Sequence, residues 1–387
     1  MRIVMLRSNP VDPDPRVEKE AAALVKAGHA VTVVGWDRAG SYGMRRAELL
    51  RLPGPGDMIE VPRWLVGIPS SFGSGLANAG AILAFGRALA GFLREHRDAY
   101  DCIHACDLDT GLVARRAARD YGKALVYDVF DYYADSHAAP GPLRALIVRA
   151  ENAVINAADA VLICSEQRCA QLAGAHPRRV TVVENSPVRV TPQPLPRTPT
   201  QEGTCRLVYV GVLTPDRFIE RILDAVAAEP ALSLDIAGFG ALEQRAREAA
   251  QACPRIVFHS KVGYARALQI EAGADALLAP YDPSVPNNRL AAPNKFYEAL
   301  MLGVPLIGIA GTSVGAWATE LGVGAALKPD FTPGDLRAAA EGLRGRNAGG
   351  AVAARGHELY DTRFGWPIME RRLLNAYSEI ICERGLA

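Results

Sequence analysis

A lysine and a glutamate lie one helical turn apart near the start of an otherwise apolar segment. The stretch AAPNKFYEALMLGVPLI (residues 291–307) holds Lys295 and Glu298 after Pro293, which suits the first turn of a helix, and Gly303 suits its end. A helix amino end offers free amide groups and partial positive charge to a phosphate, and Lys295 adds a full charge. Glu298 could accept hydrogen bonds from sugar hydroxyls. The alternative is a solvated surface pair worth about 0.2–0.5 kcal/mol.

Three other loops of the same half of the chain carry groups that suit a nucleotide. Arg217 follows the apolar run LVYVG, Gly238 and Gly240 follow LDIA, and Val262 follows IVFHS by two residues. Each loop comes directly after a predicted strand, and the carboxyl ends of parallel strands meet at one edge of a sheet. A Gly-x-Gly pair alone is weak evidence because such turns are common. Together with Lys295, the loops predict a nucleotide diphosphate site.

Short apolar runs alternate with alanine-rich helical patterns along most of the chain. Continuous apolar strands that are separated by helices indicate parallel sheets covered on both faces. We therefore predict an α/β fold with two doubly wound domains of similar size that face each other across a cleft. The predicted strands are 2–8, 30–36, 101–106, 124–129, 160–165 and 180–185 in the first set, and 206–211, 232–238, 256–260, 276–281 and 305–310 in the second.

A proline-rich stretch separates the two sets of strands. Five prolines fall between residues 187 and 199, which excludes a helix or a central strand and predicts a linker. The expected organisation is an N-terminal domain over 1–187, a linker over 188–204 and a C-terminal domain over 205–365. A length of 387 residues also favours two domains over one.

Composition excludes several classes of function. The net charge of +1 provides no field that would attract nucleic acid. Seven cysteines without a CxxC pair predict free thiols in a reducing cytoplasm. The apolar segment 76–93 is short for a membrane span and carries Arg87, so it predicts a helix packed on a sheet. The alternative is peripheral contact of the first domain with the inner face of the membrane, where it would reach a lipid acceptor.

The motifs of both halves resemble one family of enzymes. LVYVGVLTPDRFIERILDAV, LDIAGFG and PNKFYEALMLGVPLI, in this order and spacing, resemble the donor domain of retaining glycosyltransferase family 4, which has the GT-B fold of two Rossmann-like domains. DPRVEKEAAALVKAGHAVTVVGWDR, DCIHACDLDTG and ADAVLICS resemble its acceptor domain. The resemblance covers essentially the whole chain and implies that the last helix, within 366–387, packs back on the first domain.

The resemblance implies transfer of a sugar from a UDP-, GDP- or dTDP-sugar to an acceptor hydroxyl, with retention at the anomeric carbon. It implies that Arg217 and Lys295 contact the diphosphate and Glu298 the ribose. The leaving phosphate would receive the acceptor proton, and the two cations would stabilise its charge, so no metal or other cofactor is expected. Further candidates on the donor side are Gly238 and Gly240 near the nucleotide, Val262 near the base, and Asn294 and Arg289.

The sequence departs from the family at several positions. Leu290 stands where many members have a first glutamate, and Cys106 replaces the second histidine of a His-x-His-Asp motif. Asp107, at the end of a predicted strand, is the catalytic candidate of the first domain. The candidates for acceptor or phosphate contacts there are Asp109, Asp131 and Arg16. For each of these four, the alternative is a helix cap or a solvent-facing side chain.

Other functions stay open at this point. A nucleotide-sugar epimerase of the same two-domain fold would need several acids and histidines in its cleft, and this chain has seven histidines in all. A degenerate protein that binds a nucleotide or a glycan without transferring it would explain the missing histidine and glutamate. The acceptor is expected to be a glycan, a lipid-linked sugar or a small molecule. The Asp-x-Asp segments at 12–14 and 107–109 match a metal signature, but such short matches are common by chance.

Overall fold

The computed structural model describes residues 1–40, 43–46, 49–53, 58–70, 76–136 and 141–386. The chain forms two compact units, Met1–Glu184 with Met369–Ala387, and Asn185–Ile368. Residue 387, where the predicted last helix was expected to end, lies outside the described residues.

The first unit is built on an eight-stranded sheet. The described strands of the unit, including two outside this sheet, are β1 (Arg2–Leu6), β2 (Ala30–Asp37), β3 (Gly43–Arg46), β4 (Leu50–Pro53), β5 (Met58–Val61), β6 (Arg63–Gly67), β7 (Cys102–Cys106), β8 (Ala124–Val129), β9 (Ala160–Ile163) and β10 (Val180–Val182). The sheet order is β10-β9-β8-β7-β1-β2-β6-β3, and β4 pairs with β5 separately. The sheet pairs are parallel except β3 with β6.

Helices cover this sheet and bury its central strands. They are α1 (Pro15–Lys26), α2 (Leu76–Glu95), α3 (Leu108–Tyr121), α4 (Tyr133–Ser136) and α5 (Gly141–Ile155), with a 3-10 turn over Glu166–Leu172. Every residue of β7 and β8 is buried, as expected for central parallel strands with helices on both faces. The ring of Trp36 on β2 stacks on Phe85 of α2 at 4.6 Å between centroids. This packing ties the helical layer to the sheet.

The second unit has a six-stranded, wholly parallel sheet. Its elements are β11 (Cys205–Val212), α6 (Ile219–Ala228), β12 (Leu232–Phe239), α7 (Glu243–Ala252), β13 (Ile256–Phe258), α8 (Tyr264–Ala272), β14 (Ala276–Ala279), α9 (Pro286–Arg289), α10 (Asn294–Leu302), β15 (Leu306–Ile309), α11 (Ser313–Glu320), β16 (Gly324–Leu327), α12 (Pro333–Asn347) and α13 (Ala351–Leu359). The strand order is β13-β12-β11-β14-β15-β16. The predicted α/β fold with doubly wound parallel sheets is thus confirmed.

The last helix, α14 (Trp366–Arg384), belongs to the first unit from Met369 onward. The Tyr377 hydroxyl lies 2.7 Å from Nδ1 of the buried His104. Arg384 bonds the Asp159 carboxylate at 2.9 Å. These contacts anchor the helix from inside the unit. Among the described residues, helices with the length and apolar character of a membrane span are absent.

Five of the described strands were not predicted from the sequence. β3, β4 and β5 have four residues each and include charged or exposed positions, so they lack the continuous apolar run of a central strand. β6 pairs with both β2 and β3 but contains Arg63 and Trp64, which are only partly buried. β16 is the small-residue segment GAAL. Peripheral strands carry weak periodicity because only part of their surface is buried.

Candidate functional site

The segment that holds Lys295 and Glu298 forms α10 as expected. Pro293 is the N-cap of α10 rather than its first residue, and Gly303 ends the helix with a left-handed φ of 67°. Lys295 is 9% exposed and Glu298 is 5% exposed. The alternative of a solvated surface pair is therefore wrong, because both charged groups lie inside the second unit.

The Lys295 ammonium lies against the carboxyl end of β11. Its Nζ is 4.9 Å from the centre of the Tyr209 ring, and a Cβ added at Gly211 would come within 2.8 Å of Nζ. Within the ranges the structure describes, Nζ takes part in no ion pair or hydrogen bond. Burial lowers the pKa of Lys295, but neighbouring acidic groups outweigh it and the pKa is raised; these groups are Tyr281, Tyr209, Glu271 and Glu298. Lys295 is thus a buried, charged cation.

A carboxyl cluster lies beside this lysine. The Tyr264 hydroxyl donates a hydrogen bond to the Glu298 carboxylate. Glu271, near the end of α8, is 2% exposed, and burial raises its pKa well above the usual value, as does the negative charge of Glu298. Glu271 was not among the residues predicted from the sequence. The available signal was one acid within the largely apolar stretch ARALQIEA.

Glycines bring the ends of β11 and β12 close together beside Lys295. Gly211 pairs with Gly238 across the two strands. A Cβ at Gly238, whose φ is 151°, would lie 1.8 Å from the Gly211 carbonyl oxygen. A Cβ at Gly240, with φ 136°, would lie 2.7 Å from the Leu213 carbonyl oxygen. Only glycine fits these positions, so the predicted Gly238-x-Gly240 turn leaves bare backbone at this edge of the sheet.

Arg217 lies in a 3-10 turn between β11 and α6. Its Nη1 pairs with the Asp216 carboxylate and lies 3.3 Å from Oδ1 of Asn288. Its guanidinium stacks over the Tyr281 ring at 4.1 Å. Burial raises the pKa of Asp216, but hydrogen bonds from Thr214, Asn288 and Arg217 outweigh it and lower the pKa overall. Tyr281 also interacts with Lys295, so Arg217 and Lys295 share one aromatic neighbour.

The remaining donor-side candidates lie on loops around this cluster. Val262 is half-buried between β13 and α8, and Asn294 is exposed as the first residue of α10. Arg289 is exposed and donates from Nε to the Pro283 carbonyl at 2.7 Å. The structure therefore groups Lys295, Glu298 and the glycine turn, joins Arg217 to them through Tyr281, and places these three residues at the surface or near it.

In the first unit, Asp107 directly follows β7 and adopts a left-handed φ of 60° as the N-cap of α3. Its Oδ2 accepts from Arg7 Nη1 at 2.5 Å, and its Oδ1 accepts from the backbone amide of Phe130 at 2.9 Å. Burial raises its pKa to about 6 against the opposing effect of Arg7. Asp107 is thus a carboxyl that titrates just below neutral pH.

The other three candidates of the first unit have different surroundings. Asp109 accepts a hydrogen bond from the Tyr133 hydroxyl. Asp131 is exposed and pairs with Arg168 at 2.8 Å. Arg16 is 6% exposed, and its guanidinium bonds both Asp128 oxygens at 2.8 and 2.7 Å. Arg16, predicted to contact phosphate or the acceptor, thus has its guanidinium bonded inside the first unit.

One group of side chains has the composition of a metal site. His104, Cys106 and Asp128 are buried, with ligand atoms within 4.8 Å of one another. Both Asp128 oxygens already accept from Arg16, and His104 Nδ1 is bonded to Tyr377. Burial and Asp128 raise the pKa of the Cys106 thiol well above its usual value. A cation here would face the Arg16 charge and a protonated thiol, so these residues do not fit a metal ion.

The fold of this chain is shared with proteins of known structure. Solved structures of low sequence identity match it over nearly the whole length. Sucrose-phosphate synthase of Thermosynechococcus elongatus is 15% identical with a TM-score of 0.74, covering 99% of this chain and 100% of that one. Anabaena Alr3699/HepE in complex with UDP is 14% identical with a TM-score of 0.65, covering 98% and 100%. WaaG, a glycosyltransferase involved in lipopolysaccharide biosynthesis, is 17% identical with a TM-score of 0.63, covering 96% and 98%.

These similarities show the GT-B glycosyltransferase fold, with two Rossmann-like domains. Residues 13–186 match the family model described as the glycosyl transferase 4-like domain. The GT-B fold that the motif resemblance implied is therefore confirmed, and retention at the anomeric carbon stays a prediction. No curated protein sequence matches the chain.

Proposed function

We propose that this protein transfers a sugar from a nucleotide diphosphate sugar to an acceptor hydroxyl. The observation that carries the proposal is the Lys295 ammonium, which is buried and charged and, in the described residues, has no ion-pair partner. A buried unpaired charge is unfavourable, and a phosphate would relieve it. Gly211 has no side chain to cover Nζ, since a Cβ there would come within 2.8 Å of it.

On the donor side, Lys295 and Arg217 bind the diphosphate and Glu298 binds the ribose. Gly238 and Gly240 lie along the nucleotide, Val262 lies near the base, and Asn294 and Arg289 contribute at the edge. Among the possible donors, a UDP-sugar is our first choice, because the similar Anabaena structure contains UDP. The cations stabilise the negative charge that develops on the leaving diphosphate, which receives the acceptor proton, and the anomeric configuration is retained. No metal or other cofactor is required in this scheme.

On the acceptor side, Asp107 is the proposed catalytic residue and Asp109 and Asp131 contact the acceptor. A carboxyl with a pKa of about 6 is largely ionised at neutral pH and can accept a hydrogen bond from an incoming hydroxyl. We assign Arg16 a structural role instead, since it holds Asp128.

We propose a lipid-linked acceptor in envelope or exopolysaccharide assembly, with natural-product glycosylation as the second choice. Support comes from two helices of the first unit: Leu83 on α2 is 61% exposed and Leu146 on α5 is 64% exposed. Arg87 and Arg149 are exposed on the same helices. Apolar side chains beside cations suit the surface of an anionic membrane. The protein would then act in the cytoplasm, peripherally at the inner face of the membrane.

The deciding experiment is a thermal-shift screen with UDP, GDP, ADP and dTDP, followed by product analysis with the nucleotide that binds. A ligand at about 100 times its Kd adds about 2.7 kcal/mol to stability. We expect one diphosphate to stabilise the protein, and the matching nucleotide sugar to yield a glycosylated acceptor. Failure of all four nucleotides to bind would contradict the proposal.

Product analysis also separates the alternatives. An isomerised nucleotide sugar formed without any acceptor would indicate an epimerase. Nucleotide binding with neither hydrolysis nor transfer, over a broad panel of donor sugars and acceptors, would indicate a binding protein without catalytic activity.

A further inference from the structure

A buried carboxyl lies beside the proposed donor site and is not one of the proposed donor contacts. Glu271 is in the last turn of α8, and α8 packs on α10, which carries Lys295 and Glu298. Within the described ranges, Oε2 of Glu271 is buried and has no hydrogen-bond partner. A buried oxygen without a hydrogen-bond partner lowers stability. Such an atom in a folded protein therefore calls for an explanation, such as a role in function.

The charged and titratable groups around Glu271 come from several elements. Lys295 and Glu298 act on it from α10, and Tyr264 acts from the start of α8. Tyr209 on β11 and Tyr281 after β14 surround the same lysine. Arg206 on β11 faces the end of α8, where it bonds the Gly273 carbonyl, but its guanidinium is paired with Asp235 at 2.6 Å. Lys295 is therefore the cation that a negative charge on Glu271 would attract.

We propose that Glu271 is a positioning residue that must carry its proton for Lys295 to bind the donor diphosphate, and that ionised Glu271 competes with the diphosphate for Lys295. This inference rests on the proposed role of Lys295 in donor binding. With Glu271 neutral, Lys295 stays charged and, among the described residues, forms no ion pair. With Glu271 ionised, two buried opposite charges attract strongly, because the local dielectric constant is low.

The sign of the pH effect follows from linkage. Burial and the charge of Glu298 raise the pKa of Glu271, so it is protonated and the site is competent below that pKa. As the pH rises through it, the carboxylate forms and the diphosphate binds more weakly. Reciprocally, diphosphate binding raises the pKa of Glu271 further, so binding near this pH takes up a proton.

The test compares UDP binding by the native protein and by Glu271→Gln, which is neutral at every pH, from about pH 6 to about pH 9. The titration of UDP itself cancels in the ratio of the two Kd values. We expect a ratio near one at the acid end. Above the pKa of Glu271, the Kd of the native protein should rise about tenfold per pH unit relative to the variant, until the ionised site reaches its own affinity. Uridine, which has no diphosphate, should show no such rise.

Glu220→Gln is the matched control, because Glu220 is an exposed acid on α6 of the same unit. Its Kd for UDP should follow the native protein at every pH. A constant ratio between the native protein and Glu271→Gln would overturn the inference, whether the variant binds equally or is weaker throughout. Absence of UDP binding by the native protein at every pH, together with failure of the other nucleotides, would instead overturn the proposed function and this inference with it.

A second measurement uses the native protein alone and so does not depend on how the variant folds. Calorimetric titrations with UDP in buffers of different ionisation enthalpy give the number of protons exchanged on binding. We expect net uptake beyond that of UDP itself at the alkaline end of the range. No uptake, at a pH where the affinity falls, would contradict the role of Glu271.

Discussion

Both units bury charged side chains, but Arg16 and Arg7 of the first unit are in ion pairs and Lys295 of the second unit is not. In the first unit, Arg16 is paired with Asp128, and Arg7 is paired with Asp14 and Asp107. In the second, Lys295 is about as buried as Arg16, yet in the described part of the chain it forms no ion pair. Removal of one partner from a buried ion pair strongly destabilises the protein. A buried charge without a partner already destabilises the protein when no ligand is bound. The first arrangement therefore supports the structure, and the second suits an anionic ligand.

The largest effect should follow from Arg16→Ala. Removal of the guanidinium leaves Asp128 buried without its cation, and the free energy of unfolding should fall by about 3–5 kcal/mol. Urea denaturation measures this. Arg45→Ala is the control, because Arg45 is exposed and its pair with Asp37 should contribute about 1 kcal/mol or less. If both variants lose equally little stability, Arg16 is not structural. Arg16→Ala with Asp128→Ala should recover part of the loss.

Lys295→Met should weaken donor binding without lowering stability, in contrast to Arg16→Ala. We expect UDP affinity and turnover to fall about 100-fold, equivalent to about 2.7 kcal/mol, because the charge-assisted contact with the diphosphate is lost. The free energy of unfolding should stay the same or rise, because methionine replaces a buried unpaired charge. Lys328→Met, at an exposed lysine directly after β16, is the matched control. If Lys295→Met and Glu298→Ala both retain UDP binding and turnover, the donor-site assignment is wrong.

Asp107→Asn tests whether a charge of the first unit also serves catalysis. We expect turnover at neutral pH to fall by about tenfold, because the charged acceptor of the hydrogen bond from the incoming hydroxyl is lost. Because the pKa of Asp107 is raised to about 6, the active carboxylate is lost as pH falls through that value. The native rate should therefore decline below about pH 6. If the rate of the variant declines over the same pH range, the decline is due to the titration of another group.

Substitution of the exposed leucines of α5 should have a smaller effect, which is on membrane binding. Leu146→Ser with Leu143→Ser should weaken binding to vesicles that contain anionic lipid by several-fold, because each removes exposed apolar surface from α5. Met58→Ser, at an exposed apolar residue on β5, is the control. Equal vesicle binding by all three proteins, or none by the native protein, would contradict a lipid-surface role.

The smallest expected effect is that of a metal chelator. We expect full activity in excess EDTA, because Lys295 and Arg217 supply the positive charge at the diphosphate. Loss of turnover that manganese restores would show that a divalent ion is needed.

Local pattern was sufficient for much of the fold. Apolar runs marked the central strands of both sheets, and glycine and proline marked the ends of α10. The edge strands β3, β4 and β5 were missed because few of their residues are buried. The candidate site was predicted in part: the motif indicated Lys295 and Glu298, while Glu271 was found only from its packing against them.

The sequence by itself determined the order of the elements and the residue types at the strand ends, because hydrophobic period and turn chemistry act over a few neighbouring positions. Only the tertiary structure decided which charges are paired. Arg16 and Asp128 are 112 residues apart in the chain and bond each other, whereas Lys295 lies near Glu298 in sequence and forms no ion pair with it. Ion pairing depends on distances across the folded unit, which local pattern does not contain.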